Sequence, residues 1–181
     1  MKKLMIAAAI VCAAAMSQAA TVNWAISDVQ YGGGAPTAGW SVMAFYTEVG
    51  AGTADIVSAI NSKTASTLSF DNTKSLSVSF SKGKVAAHDI NVPAIVSDDQ
   101  GNFSNYDFYF VVFNNADASQ ATEYALVSAP NTAYSGVDTK FKTSASFSGA
   151  SWNTISAVPE PTSGLLLLLG VAGLALRRKR A

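Results

Sequence analysis

The chain has 181 residues, 49% of them hydrophobic and 13% charged, with twelve basic residues against twelve acidic ones. The balance comes from the two ends: residues 20–158 hold six lysines, no arginine and eleven carboxylates, a net charge of −5. That sum argues against nucleic acid and against anionic membrane surfaces as partners.

The first residues, MKKLMIAAAIVCAAAMSQAA, place Lys2 and Lys3 before an uncharged run, Leu4 to Met16, and end it on Ser17-Gln18-Ala19. A basic start, an apolar stretch and small residues at the cut form a secretory signal, with cleavage expected between Ala19 and Ala20. The expected domains are therefore a signal peptide at 1–19, a passenger at 20–157 and a C-terminal segment at 158–181. Cys12 is the only cysteine. It lies inside the apolar run after Val11, which does not fit a lipid-attachment site, so the mature chain has no thiol for disulfide, catalysis or metal ligation.

Through the passenger the dominant signal is alternation. VNWAIS puts Val22, Trp24 and Ile26 on one face. SVMAFYTEV sets Val42, Ala44 and Tyr46 against Met43, Phe45 and Thr47. TADIVSAINSK breaks the pattern with Ile56, Val57 and Ile60 at helical spacing and Thr53 as N-cap. SLSVSF alternates Leu76, Val78 and Phe80 with serines, and Lys82-Gly83-Lys84 reads as the turn into VAAHDINV. YDFYFVVFN is apolar on both faces, as an inner strand requires. NNADASQ then reads as a polar loop and TEYALVSA as the return strand of a hairpin. TKFKTSASF gives a last alternating stretch. The fold expected is all-β: a β-sandwich of about seven to nine short antiparallel strands with one short helix, plus an N-terminal signal helix and a C-terminal transmembrane helix.

Side chains that could carry chemistry are sparse. His88, the only histidine, stands beside Asp89, but no G-x-S-x-G element supplies a nucleophile, so it reads as a strand-edge histidine. Asp98, Asp99, Asn102, Asn105 and Asp107 form an oxygen-rich stretch without EF-hand spacing, better read as turns than as a calcium site. YGGGAP, Tyr31 to Pro36, lacks the context of a phosphate loop and reads as a flexible loop. No catalytic residue, metal or cofactor is expected. Trp24, Trp40 and Trp152 are scattered, and Tyr106, Phe108, Tyr109, Phe110 and Phe113 share one strand. Core packing accounts for such residues, although exposed rings would suit a sugar.

The last residues are VPEPTSGLLLLLGVAGLALRRKRA. Thr162 to Leu176 is uncharged; as a helix its 15 residues span about 22 Å. That is short for a hydrocarbon core of about 30 Å, a deficit that local thinning and arginine snorkelling can cover. Arg177, Arg178, Lys179 and Arg180 hold the C-terminus on the cytoplasmic side, an orientation the N-terminal lysines also favour. Pro159-Glu160-Pro161 keeps the preceding segment extended at the membrane face. A Pro-Glu-Pro motif, one apolar segment and a terminal basic cluster on an exported chain resemble the PEP-CTERM proteins. The resemblance covers about 24 residues and implies a sorting signal read by exosortase, an integral-membrane transpeptidase-like enzyme. The tail would be removed and the passenger released to the cell surface or extracellular matrix of a Gram-negative-type bacterium.

The partners expected are therefore the Sec translocon, signal peptidase and exosortase, with no nucleic acid. The expected function is that of a non-catalytic surface or matrix protein, transiently anchored in the inner membrane. The alternatives are a carbohydrate-binding module for extracellular polysaccharide, a permanently anchored single-pass protein, and a secreted hydrolase working with carboxylates alone.

Overall fold

The computed structural model describes residues 20–95, 105–129 and 140–156. The expected signal and transmembrane helices, the sites around Ala19 and Pro159, and most of the oxygen-rich stretch lie outside the described residues. Among the described residues, no helix is long and apolar enough to cross a membrane.

The described residues are mostly β-sheet, with nine strands in two sheets and one short α-helix among them: β1 Ala20–Val29, β2 Ser41–Glu48, α1 Ala54–Asn61, β3 Asp71–Ser75, β4 Ser77–Ser79, β5 Lys82–Val92, β6 Tyr106–Phe113, β7 Glu123–Ala129, β8 Lys140–Ser146 and β9 Trp152–Thr154. One sheet has the order β4-β5-β1-β8 and the other β3-β2-β6-β7-β9. Alternation places the side chains as expected: Val22, Trp24 and Ile26 of β1 are buried and Ser27 is exposed. Together with Val42, Ala44, Phe108, Phe110, Val112 and Phe141 they form one apolar cluster shared by both sheets. Within it Trp24 stacks on Phe110 with ring centres 5.1 Å apart, and Phe108 on Phe141 at 4.7 Å.

β6 is the middle strand of its sheet and is buried on both faces, as its unbroken apolar run predicts. Its second face, Tyr109, Val111 and Phe113, joins Met43 and Phe45 in a separate cluster closed by Ile56 and Ile60 of α1. Burying each of those isoleucines is worth about 1.5–3 kcal/mol, which holds a helix too short to persist alone. Thr53 occupies the N-cap position but makes no side-chain capping bond. The β6–β7 hairpin forms in the register Phe108↔Ala129 to Phe113↔Tyr124.

Two expectations are corrected. The strands are not all antiparallel: β8 runs parallel to β1, from Thr21↔Lys140 to Ser27↔Ser146. Parallel neighbours need a crossover, and here the chain between them builds β4 and β5 of the same sheet and four of the five strands of the other. Nor does the β4–β5 turn lie at Lys82-Gly83-Lys84. Ser79 pairs with Lys82, so the two-residue turn is Phe80-Ser81, both with positive φ (51° and 64°), the backbone of a type I′ hairpin. Gly83 sits within β5, where an added Cβ would come within 2.5 Å of the buried Leu76 side chain. Its missing side chain is spent on close packing, not on the turn.

Candidate functional site

Two polar–aromatic clusters stand out among the described residues. The first surrounds Asp71, at the start of β3. The Asp71 side chain is 1% exposed and accepts four hydrogen bonds. Trp24 Nε1 donates to Oδ2 at 3.0 Å, and His88 Nε2 pairs with the same oxygen at 2.7 Å. The Thr73 amide and hydroxyl donate to Oδ1 at 3.2 and 3.1 Å. Burial alone would raise the Asp71 carboxyl; the bonds from His88, Thr73 and Trp24 outweigh it and hold the group below the ordinary carboxylate value. Because Asp71 belongs to one sheet and Trp24 and His88 to the other, this carboxylate ties the sheets together.

His88 pairs in the sheet with Trp24 through β1 only, beyond the reach of β4, so it does lie along an open strand edge. Its ring meets the Trp24 ring edge-on at 4.5 Å. Nδ1 faces the Ala86 carbonyl oxygen at 3.2 Å, and Nε2 is taken by Asp71. With both nitrogens engaged, the ring offers no free nitrogen to act as a base. Its carboxylate partner is Asp71, 17 residues away, and not the adjacent Asp89, which accepts from Asn23 Nδ2 at 2.6 Å.

The second cluster is more accessible. Gly32 and Gly33, at φ 57° and 78°, turn the chain so that Tyr31 and Gly34 form a bridge with both backbone bonds closed at 3.0–3.1 Å. The YGGGAP segment is thus a tight reversal at its glycines. It brings Tyr31 edge-on to Trp40 at 5.1 Å and to Trp152 at 4.9 Å, with the two tryptophans 5.6 Å apart. Trp40 is buried, Trp152 is partly exposed and Tyr31 is 36% exposed. Trp152 Nε1 donates to the Gln30 carbonyl at 2.7 Å. The Tyr31 hydroxyl donates to Glu123, which raises it above the usual phenol value. Asn114 Nδ2 also reaches Glu123, at 3.3 Å. A ring edge beside a carboxylate and an amide can pack on an apolar face while hydrogen-bonding hydroxyls.

Sequence reasoning named Trp40 and Trp152 but not their convergence, and it missed Tyr31, Asn114, Glu123 and Asp71. The glycine run beside Tyr31 was the only local signal. Trp24 and the β6 aromatics Phe108, Phe110 and Phe113 are core residues. Of the oxygen-rich stretch, the described Asp107 accepts from the Gly50 amide at 3.3 Å, and Asn105 receives Val49 N–H at 3.0 Å; both tie down the loop after β2. Among the described residues, no group of three or more His, Cys, Asp or Glu could hold a metal ion.

Ala20, the residue after the expected cut, opens β1 and is 4% exposed. At the other end β9 finishes at Thr154, with Ile155 N–H bonded to Thr122 O and Ser156 N–H to Asn61 Oδ1. The described domain therefore ends three residues before Pro159-Glu160-Pro161.

No curated protein and no solved structure matches the chain. A family model, the PEP-CTERM protein-sorting motif, matches residues 157–180, which contain Pro159, Glu160 and Pro161 and the basic cluster Arg177, Arg178, Lys179 and Arg180. The match begins after the last described strand, and the chain accordingly carries a PEP-CTERM protein-sorting motif at these residues.

Proposed function

We propose that this protein is an exported, non-catalytic surface or matrix protein whose passenger is a two-sheet β-sandwich. The matched motif implies exosortase as processing partner, and with it export and processing at the membrane. One observation carries the reading: the order of Pro-Glu-Pro, an apolar segment and four basic residues, lying wholly within the matched residues 157–180. In this reading the signal is cut between Ala19 and Ala20, the tail spans the inner membrane over about 162–176, and the passenger reaches the surface once the tail is removed. The end of β9 at Thr154 supports the C-terminal boundary, since the matched motif then falls outside the paired strands. Mass spectrometry of the surface fraction tests it: a C-terminus close to Pro159 is expected, and an intact RRKRA end on surface protein would replace sorting with permanent anchorage.

A second reading has an observation of its own. The Tyr31–Trp152 edge, with Glu123 and Asn114 beside it, supports binding of extracellular polysaccharide. Tyr31→Ala should then abolish retention on a polysaccharide array. Absence of any retention by the unaltered protein would eliminate this reading and leave the first intact.

A further inference from the structure

We propose that the tip of the β4–β5 hairpin, Phe80 backed by Lys82 and Lys84, is a contact for a lipid bilayer surface, the one that the C-terminal tail enters. The inference rests on the reading of residues 162–176 as membrane-spanning.

Phe80 is 98% exposed, far more than any other large apolar residue of the described chain. Its backbone sits at φ 51°, a region that bulky residues avoid and that glycine or asparagine would occupy at less cost. The ring thus serves neither the core nor the turn. Its mount is nonetheless firm. Lys82 Nζ meets Asp28 Oδ1 at 3.1 Å, and Asp28 also accepts from Ser27 at 2.8 Å and Ser146 at 3.0 Å, so three strands are joined directly beneath the tip. Hydrogen bonds, from Ser27 above all, hold Asp28 below its ordinary value.

The location of the tip gives the occupant. β1 ends, and β5, β7 and β2 begin, at one end of the sheets. Val29 pairs with Gly83 there, the Gln30 carbonyl accepts from Trp152, and β9 runs outward past Glu123 to Ser156. Phe80 and the point where the chain leaves the domain are therefore at the same end. Five residues, 157–161, separate Ser156 from the apolar segment; fully extended they reach about 18 Å. A tail embedded from residue 162 onward holds this end against the bilayer.

Charge is arranged to match. Lys63, Lys74, Lys82 and Lys84 lie toward this end with Asp28, Asp117 and Glu123, whereas Glu48, Asp55, Asp89 and Asp107 lie at the other with Lys140 and Lys142, so this end is the less acidic of the two. The whole-domain charge of −5, which argues against an anionic surface, hides this polarity. An aromatic ring with exposed Lys84 beside it, mounted on the Lys82–Asp28 pair, is the chemistry of headgroup contact. Free affinity can be low, because the tether makes the encounter intramolecular.

The test uses the full chain, inserted by its tail into vesicles of phosphatidylethanolamine and phosphatidylglycerol. In a Cys12→Ser background, Phe80→Cys, Val49→Cys at the far end and Ala172→Cys in the tail are each labelled with a fluorophore and exposed to lipids carrying nitroxides at known depth. Position 172 should be quenched by deep nitroxides, and position 80 by shallow ones, at least about threefold more than position 49. Quenching at 172 without quenching at 80 overturns the inference and leaves the tail reading intact. No quenching at 172 overturns both. Loss of the signal at 80 when protein is diluted into excess lipid would assign the tip to a second copy instead. Phe80→Gly, which suits the turn and so keeps the fold, should restore hairpin amide exchange in vesicles to its rate in detergent; unchanged protection would also overturn the inference.

Discussion

Replacing Asp71 by alanine is the sharpest perturbation of the passenger. The substitution removes a carboxylate that is 1% exposed and accepts four hydrogen bonds. Trp24, which is completely buried, would keep its indole N–H with no acceptor, at a cost of about 1–3 kcal/mol. Loss of the His88 and Thr73 bonds to the same ionised acceptor adds to this and brings the total to about 3–5 kcal/mol. Such a loss takes a large share of the 5–15 kcal/mol (roughly) that separates folded from unfolded domains. Asp71→Asn keeps the shape but presents an amide N–H₂ to two donors, so about 1–3 kcal/mol is expected. Urea unfolding of residues 20–156, followed by circular dichroism, reads both values. The pH dependence has a definite sign. Asp71 is held below its ordinary value, so its contribution is complete above the unfolded-chain value of about 4 and disappears as pH falls through the folded value. The parent domain should lose stability on acidification more steeply than the Asp71→Asn variant. Parallel profiles, or an Asp71→Ala cost below about 1 kcal/mol, would refute the argument that this carboxylate binds the two sheets together.

Other substitutions separate local conformation from packing. Gly83→Ala should destabilise by about 1–3 kcal/mol in the same unfolding assay, because its methyl group would overlap Leu76 in a filled site. Phe80→Gly should leave stability unchanged or raise it by about 1 kcal/mol, since a fully exposed ring is lost and a left-handed backbone is relieved. Phe110→Ala, which empties a completely buried position stacked on Trp24, should cost about 3–5 kcal/mol and alter tryptophan emission.

The contrast between Phe80 and Phe110 shows how little residue type says about role. Phe80 comes from an alternating stretch and Phe110 from an unbroken apolar one, and both patterns belong to real strands. SLSVSF buries Leu76, but the strand ends at Ser79, and Phe80 falls on the turn and not on the core face. Glycine at position 83 suggested the turn because glycine is the usual residue of a left-handed backbone. Here the nearby Leu76 side chain demands it, and no local pattern announces that contact.

Periodicity along the chain was enough to locate seven of the nine described strands, the two-faced β6 among them, and the helix over Ala54–Asn61, because each depends on side chains a few residues apart; β3 and β9 carry no such alternation. The terminal sorting motif was legible for the same reason: an enzyme reading an extended segment responds to linear order, so linear order carries the signal. The tertiary structure alone decided which strands became neighbours. It set β8 parallel to β1, brought Tyr31, Trp40 and Trp152 into one cluster, joined Asp71 to His88 and Trp24 across the sheets, and gathered four lysines toward the end where the tail departs. Those partners lie between 9 and 121 residues apart in sequence, and register and close packing in the shared core, not any local preference, choose them.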